Sequence, residues 1–394
     1  MSANNDSNPR SDNKPTSPYG PLQLLIVQAT SFCNLDCSYC YLPDRQNKSK
    51  LDLDIFRLAL SRVYESNLAD GTFTVVWHAG EPLAAGLSFY QEALKISSTF
   101  ESPDQKIRHT FQTNGTLLNN DWCDLIQKHE IKIGLSIDGP EFIHDENRMT
   151  RSGAGTYKKV KRAMDLLRER HIDYYTITVL TKNSLRHPDE IFEFFRDNSV
   201  SRIGFNLEEI EGIHKESSLS GPEAPAEVRQ FFQRFYQRYL EEGRPFHVRE
   251  FDQIERALRH RTYRRAMSGQ QTVPFRIITV GTNGDFTTFS PELLTMKSDI
   301  FSDFVIGNVK TSSFEEAYNS FKLRAIQNDI NKGISNCQST CNYFPVCGGG
   351  SPSNKMSELG RLDGTETMHC RLRHQALPEA ILSYLEANAV APAS

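Results

Sequence analysis

The sequence predicts an α/β fold, a partial (β/α)6 TIM barrel followed by a C-terminal domain built around cysteines. Two observations predict it. Six short β-rich segments alternate with helix-length stretches between residues 21 and 212, and such alternation builds a parallel sheet from right-handed βαβ units. Seven of the eight cysteines fall into two groups, one after the first predicted strand and one near the C-terminus. Six βαβ units over this length suit an incomplete barrel.

Four segments follow one another along the chain. Residues 1–20 are polar and rich in Asn, Ser and Pro, so we expect a disordered leader. Residues 21–212 carry the predicted barrel strands LQLLIVQAT, FTVVWHAG, IRHTFQTNG, IKIGLSIDG, YYTITVL and RIGFNLEEI. Residues 213–272 predict a helical bridge, whose aromatic residues have a helical spacing and are expected to face the core. Residues 273–394 predict the cysteine-containing domain, ending in a helix.

Composition excludes several classes of protein. The chain has 394 residues, a net charge of −4 and no basic block, so we expect no nucleic-acid partner. The longest apolar run, LQLLIV, is far shorter than the ~20 residues of a membrane-spanning helix, so no membrane partner is expected. The first residues lack the apolar segment of a secretory signal, which predicts a cytoplasmic protein. A reducing compartment favours cysteines that bind metal over structural disulfides.

Polar residues cluster where the predicted strands end. They follow the second, third, fourth and sixth strands, and they are His78, Glu81, Gln112, Asn114, Ser136, Asp138, Asn206 and Glu208. The carboxyl ends of parallel strands share one rim, which carries the active site in barrels of this kind. Residues in such places also cap helices and form turns, and that alternative stays open for each of them taken alone.

Three cysteines in the stretch SFCNLDCSYCYLP have the spacing CxxxCxxC. Cys33, Cys37 and Cys40 lie on a segment short enough to converge on one small object. A structural zinc site normally has four ligands, whereas three thiolates on an iron-sulfur cube leave one iron open. Thiolate ligands suit either metal.

The stretch CNLDCSYC, with Tyr39 before its last cysteine, resembles the signature loop of the radical S-adenosylmethionine (SAM) superfamily. The resemblance implies a 4Fe-4S cluster on the three cysteines and SAM as cofactor. HAGEP resembles the Gly-Gly-Glu-Pro element that receives the SAM amino group, here with Gly80 and Glu81, although Ala79 replaces its first glycine. SIDGP and HDENR resemble the segments in which Ser136 and Arg148 would bind the SAM carboxylate.

These assignments make Tyr39, His78, Gly80, Glu81, Asn114, Ser136, Asp138 and Arg148 the candidate cofactor-binding residues. An amino group needs a carboxylate or carbonyl acceptor, and a carboxylate is best bound by a guanidinium and a hydroxyl. Glu81 as a plain surface carboxylate and Arg148 as a solvated ion-pair partner are the alternatives.

The second group comprises Cys337, Cys341, Cys347 and Cys370. Four cysteines can close a zinc site or fully ligate a 4Fe-4S cube. The segment resembles the SPASM domain of radical SAM maturases, which usually holds two auxiliary clusters. The ligands of the outer cluster are complete, so the resemblance implies one auxiliary 4Fe-4S cluster. Cys123 is left over and is expected to be a buried apolar residue.

Two positions depart from the SPASM pattern. Ser351 stands where a cysteine normally follows CGGG, and Phe289 with Ser290 replaces a common Cys-Asp pair. The missing ligands belong to the auxiliary cluster nearer the active site. The resemblance therefore implies that the remaining cluster carries electrons or stabilises the fold.

The overall pattern most resembles peptide maturases of the GrrM/OscB type. The resemblance implies a ribosomally made precursor peptide as substrate, an external one-electron reductant such as flavodoxin or ferredoxin, and a three-residue cyclophane as product. An adenosyl radical would take hydrogen from a β-carbon, which then joins an aromatic ring, and a base would take the ring proton. Glu208, Asp285 and Glu292 are the candidate bases.

Two other functions stay open at this point. Formylglycine or thioether formation is the chemistry of other SPASM relatives, although the lost inner cluster argues against it. A non-catalytic zinc scaffold, using both cysteine groups structurally, is the alternative from a different class of protein.

Overall fold

The computed structural model describes residues 19–259 and 271–389. The predicted leader falls on residues 1–20, of which only the last two lie within the described residues. Part of the predicted bridge, residues 260–270, also lies outside them.

Twelve strands occur in the described part of the chain. In order they are β1 Leu24–Val27, β2 Thr72–Trp77, β3 Lys106–Thr113, β4 Lys132–Ser136, β5 Tyr174–Leu180, β6 Arg202–Leu207, β7 His247–Val248, β8 Ile277–Val280, β9 Asp285–Thr288, β10 Lys297–Ser298, β11 Ser302–Asp303 and β12 Gly307–Asn308. The first six match the six predicted strands.

The helices of the described ranges alternate with the first six strands and then follow one another. They are α1 Leu53–Glu65, α2 Leu87–Ser98, α3 Asn120–Lys128, α4 Glu141–Asn147, α5 Tyr157–Glu169, α6 Pro188–Asp197, α7 Ala224–Glu241, α8 Arg249–Arg259, α9 Phe314–Asn319, α10 Phe321–Thr340, α11 Phe344–Cys347, α12 Pro352–Leu359 and α13 Leu377–Ala389. Short 3-10 turns occupy Pro82–Ala85, Ser184–Arg186 and Pro291–Leu294, and a π-helical segment occupies Cys370–Ala376. None of the helices described here is both long enough and apolar enough to cross a bilayer.

Ten of the strands form one sheet, in the order β12-β9-β8-β1-β2-β3-β4-β5-β6-β7. Strands β1 to β6 pair in parallel and in chain order. This order differs from that of a doubly wound sheet, in which the strand order reverses at a central strand. Because all six strands run the same way, their carboxyl ends lie at one edge of the sheet.

The core follows from the burial pattern of the strands and from amphipathic helices. Strand β1 is buried along most of its length because it lies between two neighbours, as expected for a parallel strand covered on both faces. Helices α3, α5 and α6 each bury one apolar face against the sheet side of the molecule. Cys123 is fully buried in α3, as predicted for the leftover cysteine.

The predicted bridge packs against the sheet through its aromatic residues. Helix α7 buries Phe231, Phe232 and Phe235, which form ring contacts with Phe205 of β6. The prediction that these aromatics face the core is confirmed. The bridge also contributes a short strand, β7, that pairs with β6.

The sheet crosses the predicted boundary at residue 273. Strand β8 pairs in parallel with β1, residue for residue from Leu24 with Ile277 to Val27 with Val280. Strands β9 and β12 then extend the sheet in antiparallel fashion. The division into four segments stays a prediction, but the first strands of the last segment belong to the same sheet as β1 to β6.

Candidate functional site

The loop after β1 carries the first three cysteines and is held by neighbouring loops. Its backbone amides at Asp36 and Ser38 donate to the carbonyls of Met149 and Asn147. The side chain of Arg151 donates to the carbonyl of Cys33 at 2.9 Å. The loop therefore rests on the segment that follows α4, which belongs to the fourth βα unit.

The three thiols influence one another electrostatically. Burial raises the pKa of Cys33 to about 12, with further contributions from Glu81, Cys37 and Cys40. Burial likewise raises the pKa of Cys37 to about 11, although Arg148 acts in the opposite direction. Such thiols become thiolates only beside a strong positive charge, which a bound metal centre supplies. The side chains present therefore fit a cluster ligated by three thiolates.

The HAGEP turn lies directly against the cysteine loop. Gly80 has φ +69°, and a Cβ there would meet the carbonyl oxygen of Thr30 at 2.3 Å, so the close approach requires glycine. The next amide, of Glu81, donates to the carbonyl of Phe32 at 2.8 Å. The second βα turn thus fixes the position of the first.

Glu81 is fully buried, which excludes the alternative that it is a surface carboxylate. Its carboxylate accepts from the hydroxyl of Thr113 at 2.6 Å and from the amides of Asn114 and Leu83 at 2.8 and 3.0 Å. Burial raises the pKa of Glu81, and these three hydrogen bonds oppose that shift. The side chain joins the ends of β2 and β3.

Arg148 is also buried, so the alternative of a solvated ion pair is wrong. Its Nε and Nη2 donate to the two oxygens of Asp138 at 3.0 and 3.1 Å. The guanidinium lies over the ring of Tyr39 at 5.3 Å, and the Tyr39 hydroxyl donates to the same carboxylate. A buried, bidentate pair of this kind holds the guanidinium in one orientation.

A cavity of about 480 Å³ opens where the strands end. It brings together eight of the predicted site residues, and these are Cys37, Tyr39, Cys40, His78, Ser136, Arg148, Glu208 and Glu292. Burial lowers the pKa of His78 to about 4, so this ring is neutral near pH 7. Gln112 donates to the Ser136 hydroxyl at 3.3 Å, which orients it on the same wall.

The other predicted cofactor-binding residues lie behind this wall and support it. Gly80 and Glu81 contact the cysteine loop through its backbone, and Asp138 holds Arg148. Asn114 donates to the side chain of Asn34 at 2.9 Å and lies 3.8 Å from the sulfur of Cys33. These side chains position the residues that face the cavity.

The three candidate bases occupy different surroundings. Glu208 lines the cavity and accepts from the amide and hydroxyl of Ser218. Glu292 lines it too, and burial raises its pKa while a hydrogen bond from Ser290 opposes that shift. Asp285 is outside the residues that line the cavity. Asp285 begins β9, and its carboxylate accepts from the side chains of Asn283 in the β8–β9 turn and Asn308 in β12, so it closes that turn.

The four C-terminal cysteines line one small cavity of about 20 Å³. Three of them come from the end of α10 and from α11, and the fourth begins the π-helical segment. Within the described ranges, no three His, Cys, Asp or Glu side chains lie close enough to hold a single metal ion. A cube of four irons separates its ligands more widely than one tetrahedral zinc ion does, so the arrangement fits a cluster better than zinc.

A buried lysine supports the same fit. Lys355 in α12 is 3% exposed, and its Nζ lies 3.7 Å from the sulfur of Cys337. No carboxylate of the described residues lies within ion-pairing distance of it, and a buried ammonium needs a negative partner. Four thiolates on an iron-sulfur cube would supply that negative charge.

Sequence patterns did not indicate a further buried group beside the cavity. Glu209 and Glu211 follow β6 and line the cavity with Glu292. The carboxylate of Glu209 lies 3.2 Å from Nδ1 of His369, which comes from the last quarter of the chain. Their position directly after a strand end was a usable signal, but their pairing depends on a residue far along the sequence.

Comparisons with known proteins agree with this geometry. Residues 27–212 match the sequence model of the Radical SAM superfamily. The uncharacterized protein sll1766 of Synechocystis sp. is 42% identical over 372 residues, 93% of either chain. The cysteine-type anaerobic sulfatase-maturating enzyme of Clostridium perfringens is 27% identical over 342 residues, 84% of this chain and 88% of the enzyme.

Two solved structures share the fold. Native anSMEcpe with bound AdoMet and the Cp18Cys peptide has a TM-score of 0.75 at 23% identity, covering 93% of this chain and 99% of that chain. Streptococcus suis SuiB bound to the precursor peptide SuiA has a TM-score of 0.65 at 16% identity, covering 88% of this chain and 75% of that chain. At these identities the structures support the fold alone.

Proposed function

The chain belongs to the radical SAM superfamily, and from that premise we propose that it is a peptide maturase that joins an aromatic side chain to a nearby β-carbon. The substrate would be a ribosomally made precursor peptide, and the product a three-residue cyclophane of the GrrM/OscB type. The partial barrel, the auxiliary-cluster domain and a flavodoxin or ferredoxin as electron donor belong to the same proposal.

The observation that carries the proposal is the composition of the large cavity. Its lining includes Cys37, Cys40 and Arg148 together with the carboxylates Glu211 and Glu292. A cavity that holds both thiolate ligands and proton acceptors suits a reaction that removes hydrogen and then a proton. Its volume of about 480 Å³ lies within the ≈ 300–1,000 Å³ of typical ligand sites, so its lining residues rather than its size support the proposal.

Bound SAM and its cluster would supply a carbon radical that takes a hydrogen atom from the substrate. Cys33, Cys37 and Cys40 would hold that cluster, and Ser136 with Arg148 would bind the methionine carboxylate of SAM. Asp138 and Tyr39 keep the guanidinium in place. The buried apolar and polar walls of the cavity exclude water from the reacting groups.

The names of the relatives support a peptide substrate. The enzymes that match over most of the chain mature sulfatases, and SuiB binds a precursor peptide. They also favour a second candidate, oxidation of a Cys or Ser to formylglycine. Ser351 argues against formylglycine formation, because the resembled SPASM pattern has at this position a cysteine that binds the inner auxiliary cluster.

The first test measures iron. Anaerobically purified protein should be brown and contain about eight iron atoms per chain, as two 4Fe-4S cubes require. Cys37→Ala should remove about half of the iron and abolish SAM cleavage, whereas Cys123→Ala, a change of an isolated buried thiol, should leave the iron content unchanged. A colourless, zinc-loaded preparation would favour the scaffold alternative.

The second test identifies the product. The chain is co-expressed with the peptide encoded beside its gene, chosen for aromatic-x-x triplets, and the peptide is sequenced by tandem mass spectrometry. A cross-link removes two hydrogens and prevents fragmentation within the triplet. Conversion of a single Cys or Ser to an aldehyde, with normal fragmentation, would establish the formylglycine alternative instead.

A further inference from the structure

Three glutamates, of which Glu211 is buried and the other two are half-buried, lie between the large cavity and the auxiliary-cluster region. Glu209, Glu211 and Glu292 line the large cavity and also a second one of about 500 Å³, which extends to Cys347 and His369. They therefore occupy the space between the residues predicted to bind SAM and those predicted to hold the auxiliary cluster.

Two hydroxyl groups at positions that depart from the SPASM pattern lie beside this group. Ser290, which stands where that pattern commonly has an aspartate, donates to Glu292. The hydroxyl of Ser351, which replaces a cysteine ligand, lies 2.8 Å from that of Ser353, and Ser353 opposes the rise in the pKa of Glu211 that burial causes.

The carboxyl groups of Glu209 and Glu211 lie close enough to interact directly. Two carboxyl groups that share a site repel each other when both are ionised, so the stable arrangement has one proton between them. Asn354 donates to both, at 2.6 and 3.4 Å, and His369 lies on the outer side of Glu209. The pair therefore holds one proton and one negative charge in a fixed arrangement.

The backbone attaches this pair to the cysteine loop. Gly212 has φ +59°, and a Cβ there would meet the carbonyl oxygen of Tyr41 at 2.0 Å. His214 Nε2 lies 3.0 Å from the carbonyl oxygen of Cys40. The distance from Glu211 to the predicted SAM cluster is thus set by backbone contacts on both sides of Gly212.

A second, independent observation points to a missing partner beside the pair. The hydroxyl of Tyr41 has no accessible surface and no hydrogen-bond partner among the described residues. Tyr41 lines the same cavity, and burial together with the charges of Glu292 and Glu211 raises its pKa. A buried hydroxyl without a hydrogen-bond partner is expected to bond a polar group that enters the cavity.

We propose that the pair Glu209–Glu211 accepts the proton that the substrate ring loses when the cross-link forms. This inference rests on the proposed function. The ring C–H bond breaks, an O–H bond forms on the pair, and the C–H electrons stay with the ring. The new C–C bond uses the unpaired electron of the β-carbon and one ring electron, and the one electron in excess passes to an oxidised 4Fe-4S cluster.

The environment suits a proton acceptor that works near neutral pH. Burial raises the pKa of Glu211 well above its usual range, and the neighbouring Glu209 and Glu292 raise it further. Burial alone would raise the pKa of Glu209, but His369 and the Asn354 amide hold it low. The charged and titratable groups that face the pair are Glu292, Tyr41, His369, His374 and Arg249.

The other carboxylates are less suitable. Glu208 is held by Ser217 and Ser218 on an exposed loop, and Asp285 is held in its turn by asparagine side chains. Glu292 has a single hydroxyl partner, Ser290, and no carboxyl partner with which to share a proton.

The test compares Glu209→Gln, which removes the ionised member of the pair, with Glu223→Gln, a surface change outside both cavities. In the anaerobically reconstituted enzyme, Glu209→Gln should keep iron content and release 5′-deoxyadenosine within about twofold of the wild type. Cross-linked peptide should fall about 100-fold, the usual contribution of a general base. Glu209→Asp should recover part of the loss, and Glu223→Gln should behave as the wild type.

A second readout is independent of turnover. Infrared spectra of the resting wild type at pH 7 should contain the carbonyl stretch of a protonated carboxylic acid, and Glu211→Gln should lack it. The inference is overturned if Glu209→Gln makes cross-linked peptide at the wild-type rate, or if the infrared band is the same in the wild type and in Glu211→Gln. A wild type that cleaves SAM but forms no C–C bond overturns the proposed function instead.

Discussion

Ala79 shows how one residue can be strained by its neighbours. It has φ +69°, a left-handed conformation that costs a residue with a side chain roughly 1–2 kcal/mol. The same turn continues through Gly80, which touches the carbonyl of Thr30. The cysteine loop leaves no room for another path, so Ala79 adopts the conformation that suits the glycine found there in the resembled element.

We expect Ala79→Gly to raise the free energy of unfolding by about 0.5–1 kcal/mol. Glycine adopts this φ without strain, and that gain exceeds the loss that comes from the greater flexibility of glycine in the unfolded chain. Urea denaturation would measure it. Ala85→Gly, a change at a residue with ordinary φ in the next turn, should lower stability instead. A destabilised Ala79→Gly protein would contradict the strain argument.

His109 is a second residue whose surroundings control its chemistry. Its Nδ1 accepts from the indole N–H of Trp77 at 3.1 Å, while Nε2 is buried without a hydrogen-bond partner in the described part of the chain. Burial lowers the pKa of His109 to about 3, and His129 adds to the effect. The folded protein therefore favours the neutral ring.

This pKa makes stability depend on pH. Between pH 6.5 and 3 the unfolded state binds the proton more readily, so the contribution of His109 is complete above pH 6.5 and is lost as the pH falls. We expect His109→Gln to reduce the loss of stability between pH 7 and 5 by on the order of 2 kcal/mol. Urea denaturation at several pH values measures it, with His247→Gln, an exposed ring, as control. Parallel curves for wild type and His109→Gln would contradict it.

At the scale of elements, the functional groups lie where one element stops and another begins. The HAGEP turn follows β2, the segment with Glu209 and Glu211 follows β6, and both contact the cysteine loop after β1. Helix α12 contributes in a different way, because its buried Lys355 points at Cys337 of α10. Each contact joins elements that are distant in sequence.

We expect Lys355→Met to lower the reduction potential of the auxiliary cluster by on the order of 100 mV, because a nearby positive charge favours the more negative, reduced state. A potentiometric titration followed by electron paramagnetic resonance measures the shift. Lys332→Met, at an exposed lysine on α10, should leave the potential unchanged. Equal reduction potentials in the Lys355→Met and Lys332→Met proteins would mean that the Lys355 ammonium does not act on the cluster.

At the scale of the whole molecule, the sheet joins the N-terminal and C-terminal parts. Strand β8 covers the edge of β1 and buries Ile277, Ile278 and Val280. Burial of three such side chains contributes about 6 kcal/mol, which is comparable with the whole stability of a typical domain, roughly 5–15 kcal/mol. The parts on either side of residue 273 should therefore be stable only together.

A chain that ends at residue 272 should accordingly aggregate or lack cooperative unfolding, since β1 would become an exposed edge strand. A chain that ends at residue 389 keeps every described element and should unfold as the full chain does. When the chain that ends at residue 389 is heated, circular dichroism and cluster absorbance should give the same unfolding midpoint. A soluble 1–272 fragment with a sharp transition would show that the barrel segment folds alone.

Much of the fold and part of the site could be predicted from sequence. The six strands and the two cysteine groups depend on residues a few positions apart, because strand period and ligand spacing are local properties. The polar residues at the strand ends were likewise predictable, because parallel strands bring their carboxyl ends to one edge. His78 and Ser136 do line the cavity, as do Glu208 and Glu292 among the candidate bases.

Tertiary structure alone decided the remaining features. It brought Glu209 to His369 across about 160 residues of chain, buried Arg148 against Asp138, kept Asp285 in a turn, and paired β8 with β1. None of these contacts leaves a periodic or spaced pattern, because each depends on how separate elements pack. The sequence by itself therefore determined which chemical groups the chain carries, and packing determined which of them share the cavity.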